Sequence, residues 1–183
     1  PIVNITKNGI KTKNEKFKFD KIIFATGYDA LSGPILSLNL TGRKNIKLNK
    51  YWKNGPITYL GLMIPNFPNF FIISGPGSPS VLTNVPVQIQ QHVEWISEFI
   101  RYLEKSNSLS VEPEAKEAEN WVKKINTLAK KSLFMKAKNS WYKGDNIPGK
   151  PKTFIPYPAG LPQYREICNK ISKKMYKGFR ISL

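Results

Sequence analysis

Apolar residues recur with a period near 3.6 through the second half of this chain, while its start reads as strands whose alternation is not clean. The stretch Ile2-Val3-Asn4-Ile5-Thr6, the turn signal Asn8-Gly9 and residues 10–13 predict a hairpin, because Asn and Gly tolerate positive φ. Next, Asp20-Lys21-Ile22-Ile23-Phe24-Ala25-Thr26-Gly27 is a short continuous apolar run ending in small residues. Such a run predicts a strand buried on both faces, as in a parallel sheet. Residues 28–66 are punctuated by Gly and Pro and carry no helical period, and Trp52 and Tyr59 are assigned to packing. Phe70-Phe71-Ile72-Ile73 is a second buried-strand signature, and it runs into the turn Ser74-Gly75-Pro76-Gly77-Ser78-Pro79-Ser80.

Three helices follow. Asn84 or Thr83 is placed to cap the first, with Pro86 in its opening turn. Its apolar row is Ile89, Val93, Ile96, Ile100 and Leu103, with Phe99 alongside. Pro113 opens the second, with Ala115, Ala118, Val122, Ile125 and Ala129 in a row and Trp121 as a core residue. Thr153-Phe154-Ile155 reads as a strand. The last helix begins near Leu161-Pro162 and presents Tyr164, Cys168, Ile171 and Met175 on one face. Strand, glycine turn and helix N-terminus in succession aim unpaired backbone N–H groups at one spot, where an electron-rich ligand group binds well.

Between the last two helices lies a polar loop, residues 139–150, with two adjacent aromatics, Trp141 and Tyr142. A loop Trp either covers a ligand or pins the loop to the core, and the residues alone leave both open. Composition narrows the rest. With 40% hydrophobic and 12% aromatic residues, the 183-residue chain can build a sizeable core. It has no run long enough to span a membrane, so no membrane partner is expected. The net charge of +17 comes almost wholly from Lys, spread along the chain, with Arg only at positions 43, 101, 165 and 180. Nucleic-acid readers favour Arg, so no nucleic-acid partner is expected. One cysteine, Cys168, excludes an intrachain disulfide and points to a reducing, cytoplasmic setting. The sole histidine, His92, is tied to no nucleophile by motif spacing, so it is assigned to packing or to solvent. No Walker loop, G-x-G-x-x-G, G-x-S-x-G or metal-ligand cluster occurs, so no complete catalytic constellation and no metal site is expected.

Four stretches, taken in order, carry a resemblance. Residues 20–30, with Ala25-Thr26-Gly27, resemble the Ala-Thr-Gly segment of flavin monooxygenases with two dinucleotide-binding domains. Residues 75–80, followed by Thr83-Asn84 and by Gln91-His92-Val93-Glu94-Trp95, resemble the flavin-facing turn and helix of Baeyer–Villiger monooxygenases. Residues 140–151, Ser-Trp-Tyr-Lys-Gly-Asp-Asn-Ile-Pro-Gly-Lys-Pro, are similar to that family's mobile active-site loop. Tyr164-Arg165-Glu166-Ile167-Cys168 and Tyr176-Lys177-Gly178-Phe179 are similar to its C-terminal helix and tail. The likeness is closest to the phenylacetone and cyclohexanone monooxygenase branch.

The resemblance implies an α/β fold: the C-terminal part of a Rossmann-like flavoprotein with two dinucleotide-binding domains and added helices. Residues 1–32 correspond to closing strands and linker of the NADP-binding domain, and residues 33–183 to the C-terminal part of the FAD-binding domain. It implies FAD and NADP as cofactors and a small ketone as substrate, converted to an ester or lactone. Thr26, Gly27, Gly75, Pro76, Thr83, Asn84, Val85 and Trp141 fall at its cofactor-binding positions. Ser80, Val81, Leu82 and again Trp141 fall at its substrate-lining positions. The family's two G-x-G-x-x-G motifs, its His/Trp fingerprint and its catalytic Arg match no residue here and are expected upstream of Pro1. The chain is therefore expected to need that N-terminal portion as its partner and to be inactive alone. The rival readings are an amine- or sulfide-oxidising flavin monooxygenase and a non-catalytic basic binding module.

Overall fold

A computed structural model describes residues 1–27 and 29–183. Tyr28, part of the resembling N-terminal stretch, lies outside the described residues. The hairpin forms as expected. β1 (Ile2–Thr6) pairs antiparallel with β2 (Gly9–Thr12), and β2 pairs with β3 (Lys16–Lys18), giving a three-stranded meander. All five β1 residues are exposed. Two short helices interrupt the loop-rich stretch, α1 (Ser32–Ser37) and α2 (Leu48–Tyr51). The body of the fold is α3 (Val85–Lys105), β4 (Ser110–Pro113), α4 (Ala115–Lys130), α5 (Gly160–Lys173) and β5 (Phe179–Ser182). β4 and β5 pair antiparallel with Val111 opposite Ile181. Among the described residues no helix is long and apolar enough to cross a membrane.

The three strands read from apolar runs are not strands. Residues 20–27 run without regular pairing, and Ile23 and Phe24 are 90% and 68% exposed. A central strand needs neighbours on both edges, and the described residues offer none. Residues 70–73 make one isolated bridge, Met63 to Phe71, because Pro65 and Pro68 fold the chain back too tightly for a ladder. Residues 153–155 bond in part like a strand: Ile155 N–H donates to Tyr142 O (2.8 Å), and Ile155 O accepts from Gly77 N–H (2.8 Å). Pro156 and Pro158 stop the ladder there.

The helices fare better, with one change of face. Asn84 caps α3 through Oδ1, which accepts from Val87 N–H, and Pro86 lies in the first turn. The buried face of α3, however, is Gln88, Gln91, His92, Trp95, Ile96 and Phe99, whereas Ile89, Val93 and Ile100 are exposed. Aromatic partners decide this. Phe99 stacks on Tyr176 at 3.8 Å and 9°, and Trp95 packs edge-on to Tyr176 and donates its indole N–H to Cys168 O (3.0 Å). Rings bury more area than the Ile/Val row does. The α4 row holds in part, with Ala118, Ile125 and Ala129 buried alongside Trp121, whereas Val122 is half-buried and Ala115 exposed, and Pro113 closes β4 rather than opening the helix. α5 buries Tyr164 and Cys168, but Met175 lies beyond its end and is exposed. Trp52 and Tyr59 are buried packing residues, and burial pushes the Cys168 thiol up to about 12, which keeps it protonated and inert.

One buried carboxylate joins distant segments. Glu112 on β4 is 2% exposed. Its Oε1 accepts from Arg43 Nε (2.7 Å) and Arg180 Nη2 (2.5 Å), and its Oε2 accepts from Asn66 N–H (2.7 Å). Burial by itself raises this carboxyl, but the hydrogen bonds from Arg180, Asn66 and Arg43 outweigh it and hold the group below the usual 4.5. His92 is opposite in kind. Burial pushes its imidazole from 6.5 down to about 4, so it is neutral, and Nδ1 accepts Ser74 N–H (3.0 Å).

Two predictions follow from these contacts. On acidification the unfolded state takes up a proton at His92 before the folded state does, so stability falls from pH 6.5 towards about 4. Glu112 adds a further loss below pH 4.5, where the unfolded carboxyl is protonated and the folded one is not. Urea denaturation across pH should show this two-stage decline, and Glu112→Gln should erase the lower stage while costing about 1.5–3 kcal/mol at pH 7. Independently, Trp121→Phe should cost about 2 kcal/mol in the same assay, because it leaves the buried Gly77 carbonyl without its donor.

Candidate active-site cleft

The turn at residues 75–80 is buried throughout and held from below. Thr58 Oγ1 donates to Pro76 O (2.5 Å), Ser78 Oγ to Gly75 O (2.8 Å) and Trp121 Nε1 to Gly77 O (3.0 Å). Gln88 Nε2 donates to both Ser74 Oγ and Ser78 Oγ, each at 3.1 Å. At Gly75 a Cβ would lie 2.5 Å from Gly61 O, so glycine is needed there for close backbone approach. Gly77 has φ +94°, and a Cβ would meet Thr58 Oγ1 and the Trp121 indole. With its inner side bonded to the core, the turn delivers the 3-10 segment Ser80–Leu82 and then the exposed cap Asn84 at the surface.

The loop at residues 139–150 is fixed by polar contacts at both ends. Asp145 Oδ1 accepts from Ser140 N–H (2.5 Å), and Lys143 Nζ lies 2.9 Å from Asp145 Oδ2 and holds that carboxyl below its usual range. Gly144 adopts φ +69° where a Cβ would strike Pro151 O at 2.5 Å. Lys150 forms an ion pair with Asp29, tying the loop to the segment after Gly27. Both aromatics, Trp141 and Tyr142, line a cleft, and Tyr142 also has a packing role. Tyr142 packs against Phe134 (5.4 Å) and Phe154 (6.4 Å) and pins the loop. Trp141, 4.3 Å from Tyr142, turns its ring to a cleft.

That cleft has a volume of about 740 Å³. Thr26, Gly27, Ser80, Val81 and Trp141, drawn from three segments far apart in sequence, line it together. Gly75 and Pro76 lie behind the lining as buried support, and Leu82, Thr83, Asn84 and Val85 lie outside it, around the N-terminus of α3. Asp29, Ala30, Leu31, Tyr142, Asn146 and Ile147 also line it, and the sequence assigns none of them to cofactor or substrate. The pairing of Lys150 with Asp29 gave no local signal, since 121 positions separate them. Two of the four arginines, Arg43 and Arg180, are committed to Glu112.

The lining suits a planar heteroaromatic ring. Trp141 supplies one flat wall. Gly27, at φ +75°, has open space where a side chain would stand, and Val81 is half exposed beside it. At the nearby α3 N-terminus Pro86 has no N–H, Val87 N–H goes to Asn84 Oδ1 and Gln88 N–H to Asn84 O, so the Val85 N–H and the positive dipole end are what remain for an electron-rich ring edge.

No protein-family model matches the chain. The chain is 40% identical over 184 residues to cyclohexanone 1,2-monooxygenase of Acinetobacter sp., covering 100% of this chain and 33% of that protein. It is likewise 40% identical over 177 residues to a Baeyer–Villiger monooxygenase of Pseudooceanicola batsensis, covering 96% of this chain and 32% of the relative. The crystal structure of OTEMO in complex with FAD and NADP superposes with a TM-score of 0.92 at 31% identity, over 100% of this chain and 33% of that one. The chain thus spans about a third of the length of the proteins it matches. Identity at this level from end to end, on a shared backbone course, makes the chain a member of the Baeyer–Villiger flavin monooxygenase family.

Proposed function

We propose that this chain is the C-terminal third of an FAD- and NADPH-dependent Baeyer–Villiger monooxygenase that inserts oxygen into a small ketone to give an ester or lactone. The observation that carries this reading is the meeting of Thr26, Gly27, Ser80, Val81 and Trp141 around one 740 Å³ cleft, in a chain 40% identical along its length to a cyclohexanone monooxygenase. In this proposal residues 1–32 complete the NADP-binding domain and residues 33–183 complete the FAD-binding domain.

The roles follow from the chemistry of each position. Trp141 covers the nicotinamide and the substrate, excluding water from the reacting face. Ser80 and Val81 shape the ketone pocket, and Val81 sets its apolar width. Thr83, Asn84 and Val85 meet the flavin at the α3 N-terminus, where the Val85 N–H and the positive dipole end favour negative charge on the reduced ring. Thr26 and Gly27 border the NADP side, and Gly75 and Pro76 hold the turn beneath the flavin. FAD and NADPH supply the hydride and the oxygen activation when bound. This chain's residues orient the reactants and keep the site dry.

The same proposal makes the chain inactive by itself. Ile23 and Phe24 lie open without partner strands, and Ile89, Val93 and Ile100 form an exposed stripe along α3. These are the surfaces the upstream portion of the enzyme is proposed to cover.

Two measurements test the reading. Mixed with FAD, NADPH and cyclohexanone, the chain alone should retain no stoichiometric flavin and show no ketone-dependent NADPH oxidation; tight yellow flavin binding with turnover overturns the inactivity. Joined behind the upstream two thirds of the Acinetobacter cyclohexanone 1,2-monooxygenase, it should restore ketone-dependent turnover, and Trp141→Ala should lower that turnover on the order of 10–100-fold. A folded, flavin-loaded chimera that oxidises no ketone sinks the functional assignment. In the isolated chain, Lys150→Ala should release the loop from Asp29 and speed its proteolytic cleavage at residues 139–150 several-fold, by roughly the loss of one partly buried ion pair.

A further inference from the structure

Away from the cleft, three segments enclose a second pocket of about 210 Å³. α5 contributes Ile167, Lys170 and Ile171, with Lys174 one turn further on, a spacing of three and four that aligns them on one helix face. Lys177 comes from the turn after the helix, Glu117 from the first turn of α4 and Tyr59 from the loop before α3. Tyr59 sets the chemistry of the floor. Its residue is 7% exposed, and its ring is fixed against Phe179 (5.1 Å) and edge-on to Trp121 (6.5 Å). Its hydroxyl nevertheless has no hydrogen-bond partner among the described residues, whereas the buried Tyr164 and Tyr157 hydroxyls donate to Leu60 O and Gln163 Oε1. The hydroxyl oxygen itself keeps access to solvent, so its hydrogen-bonding capacity is free at the pocket floor.

The rim is cationic. Lys170 pairs with Glu166 across one helix turn at 2.7 Å, while Lys174 and Lys177 make no ion pair among the described residues. Glu117 is the single carboxylate, so the lining carries three ammonium groups against one negative charge. An apolar wall of two Ile side chains beneath lysines, with an unpartnered hydroxyl at the base, matches neither a bare anion nor a neutral hydrocarbon. The volume is below the ~300–1,000 Å³ of sites for drug-sized ligands, so the occupant is small.

We propose that this pocket binds a small amphiphilic carboxylate, a short aliphatic chain lying on Ile167 and Ile171 with its carboxylate held by Lys174, Lys177 and the Tyr59 hydroxyl. The site is separate from the proposed oxygen-insertion cleft and does not depend on that reading. Octanoate is the probe, titrated calorimetrically into the 183-residue chain at low ionic strength, with acetate (head without tail) and octanol (tail without charge) as comparisons. Saturable one-to-one binding of octanoate, with neither acetate nor octanol binding comparably, is the expected result. Lys174→Glu combined with Lys177→Glu, both on the exposed rim, should weaken binding at least about tenfold. Tyr59→Phe should weaken it about two- to tenfold through the lost hydrogen bond, with far-UV circular dichroism and Trp fluorescence matched to the parent chain. Absence of octanoate binding, equal binding of octanol or acetate, or an affinity untouched by the double lysine reversal in a folded variant would each overturn the proposal.

Discussion

The hydrogen bond from the Trp121 indole to the Gly77 carbonyl is the contact on which the working end of this fold depends. It reaches from the middle of α4 to the middle of the Gly/Pro turn at 3.0 Å, in a buried setting where an unpaired carbonyl is costly. The ring that carries it stacks on Tyr157 at 5.1 Å and 5°, and Tyr157 N–H in turn donates to Ser78 O (2.7 Å). One aromatic sandwich thereby fixes the turn from α4 below and from residues 155–157 at its side. The cleft wall at Ser80 and Val81 inherits its position from that clamp.

A second consequence falls on α3. Its inner face spends three positions, Gln88, Gln91 and His92, on polar groups that a simple apolar stripe would fill with Ile or Val. Gln88 and His92 bond Ser74 and Ser78, so these side chains brace the turn as well as filling space. The apolar residues displaced from that face, Ile89, Val93 and Ile100, point outward. The inner face thus mixes rings and amides with Ile96, while Ile89, Val93 and Ile100 leave an apolar stripe at the surface.

The loop at residues 139–150 brings both of its aromatics to the cleft. Tyr142 is in addition anchored among Phe134 and Phe154, and Trp141 lies against it at 4.3 Å. The Lys150–Asp29 ion pair joins this loop to the segment carrying Thr26 and Gly27. A charge pair between segments 121 positions apart thus links two walls of the cleft.

The sequence by itself determined the helices, the Asn84 cap with Pro86, the hairpin at Asn8-Gly9, the core roles of Trp52, Tyr59, Trp121 and Cys168, and the segments that meet at the cleft. Those features are local: a cap, a turn or a 3.6 period is written in adjacent residues. It misjudged what depends on partners. Residues 20–27 and 70–73 have the composition of buried strands, yet a strand exists only when another strand pairs with it, and here only a single bridge forms. The pairing of β4 with β5 and the Glu112–Arg180 contact span some 68 positions and left no local trace. Periodicity also picked the wrong face of α3: it read the row of Ile89, Val93, Ile96, Ile100 and Leu103 as the inner one, and the stacking of Phe99 on Tyr176 turns the neighbouring aromatic face inward. Residue identity thus marked segments, and only the tertiary contacts decided which of their residues line one cleft.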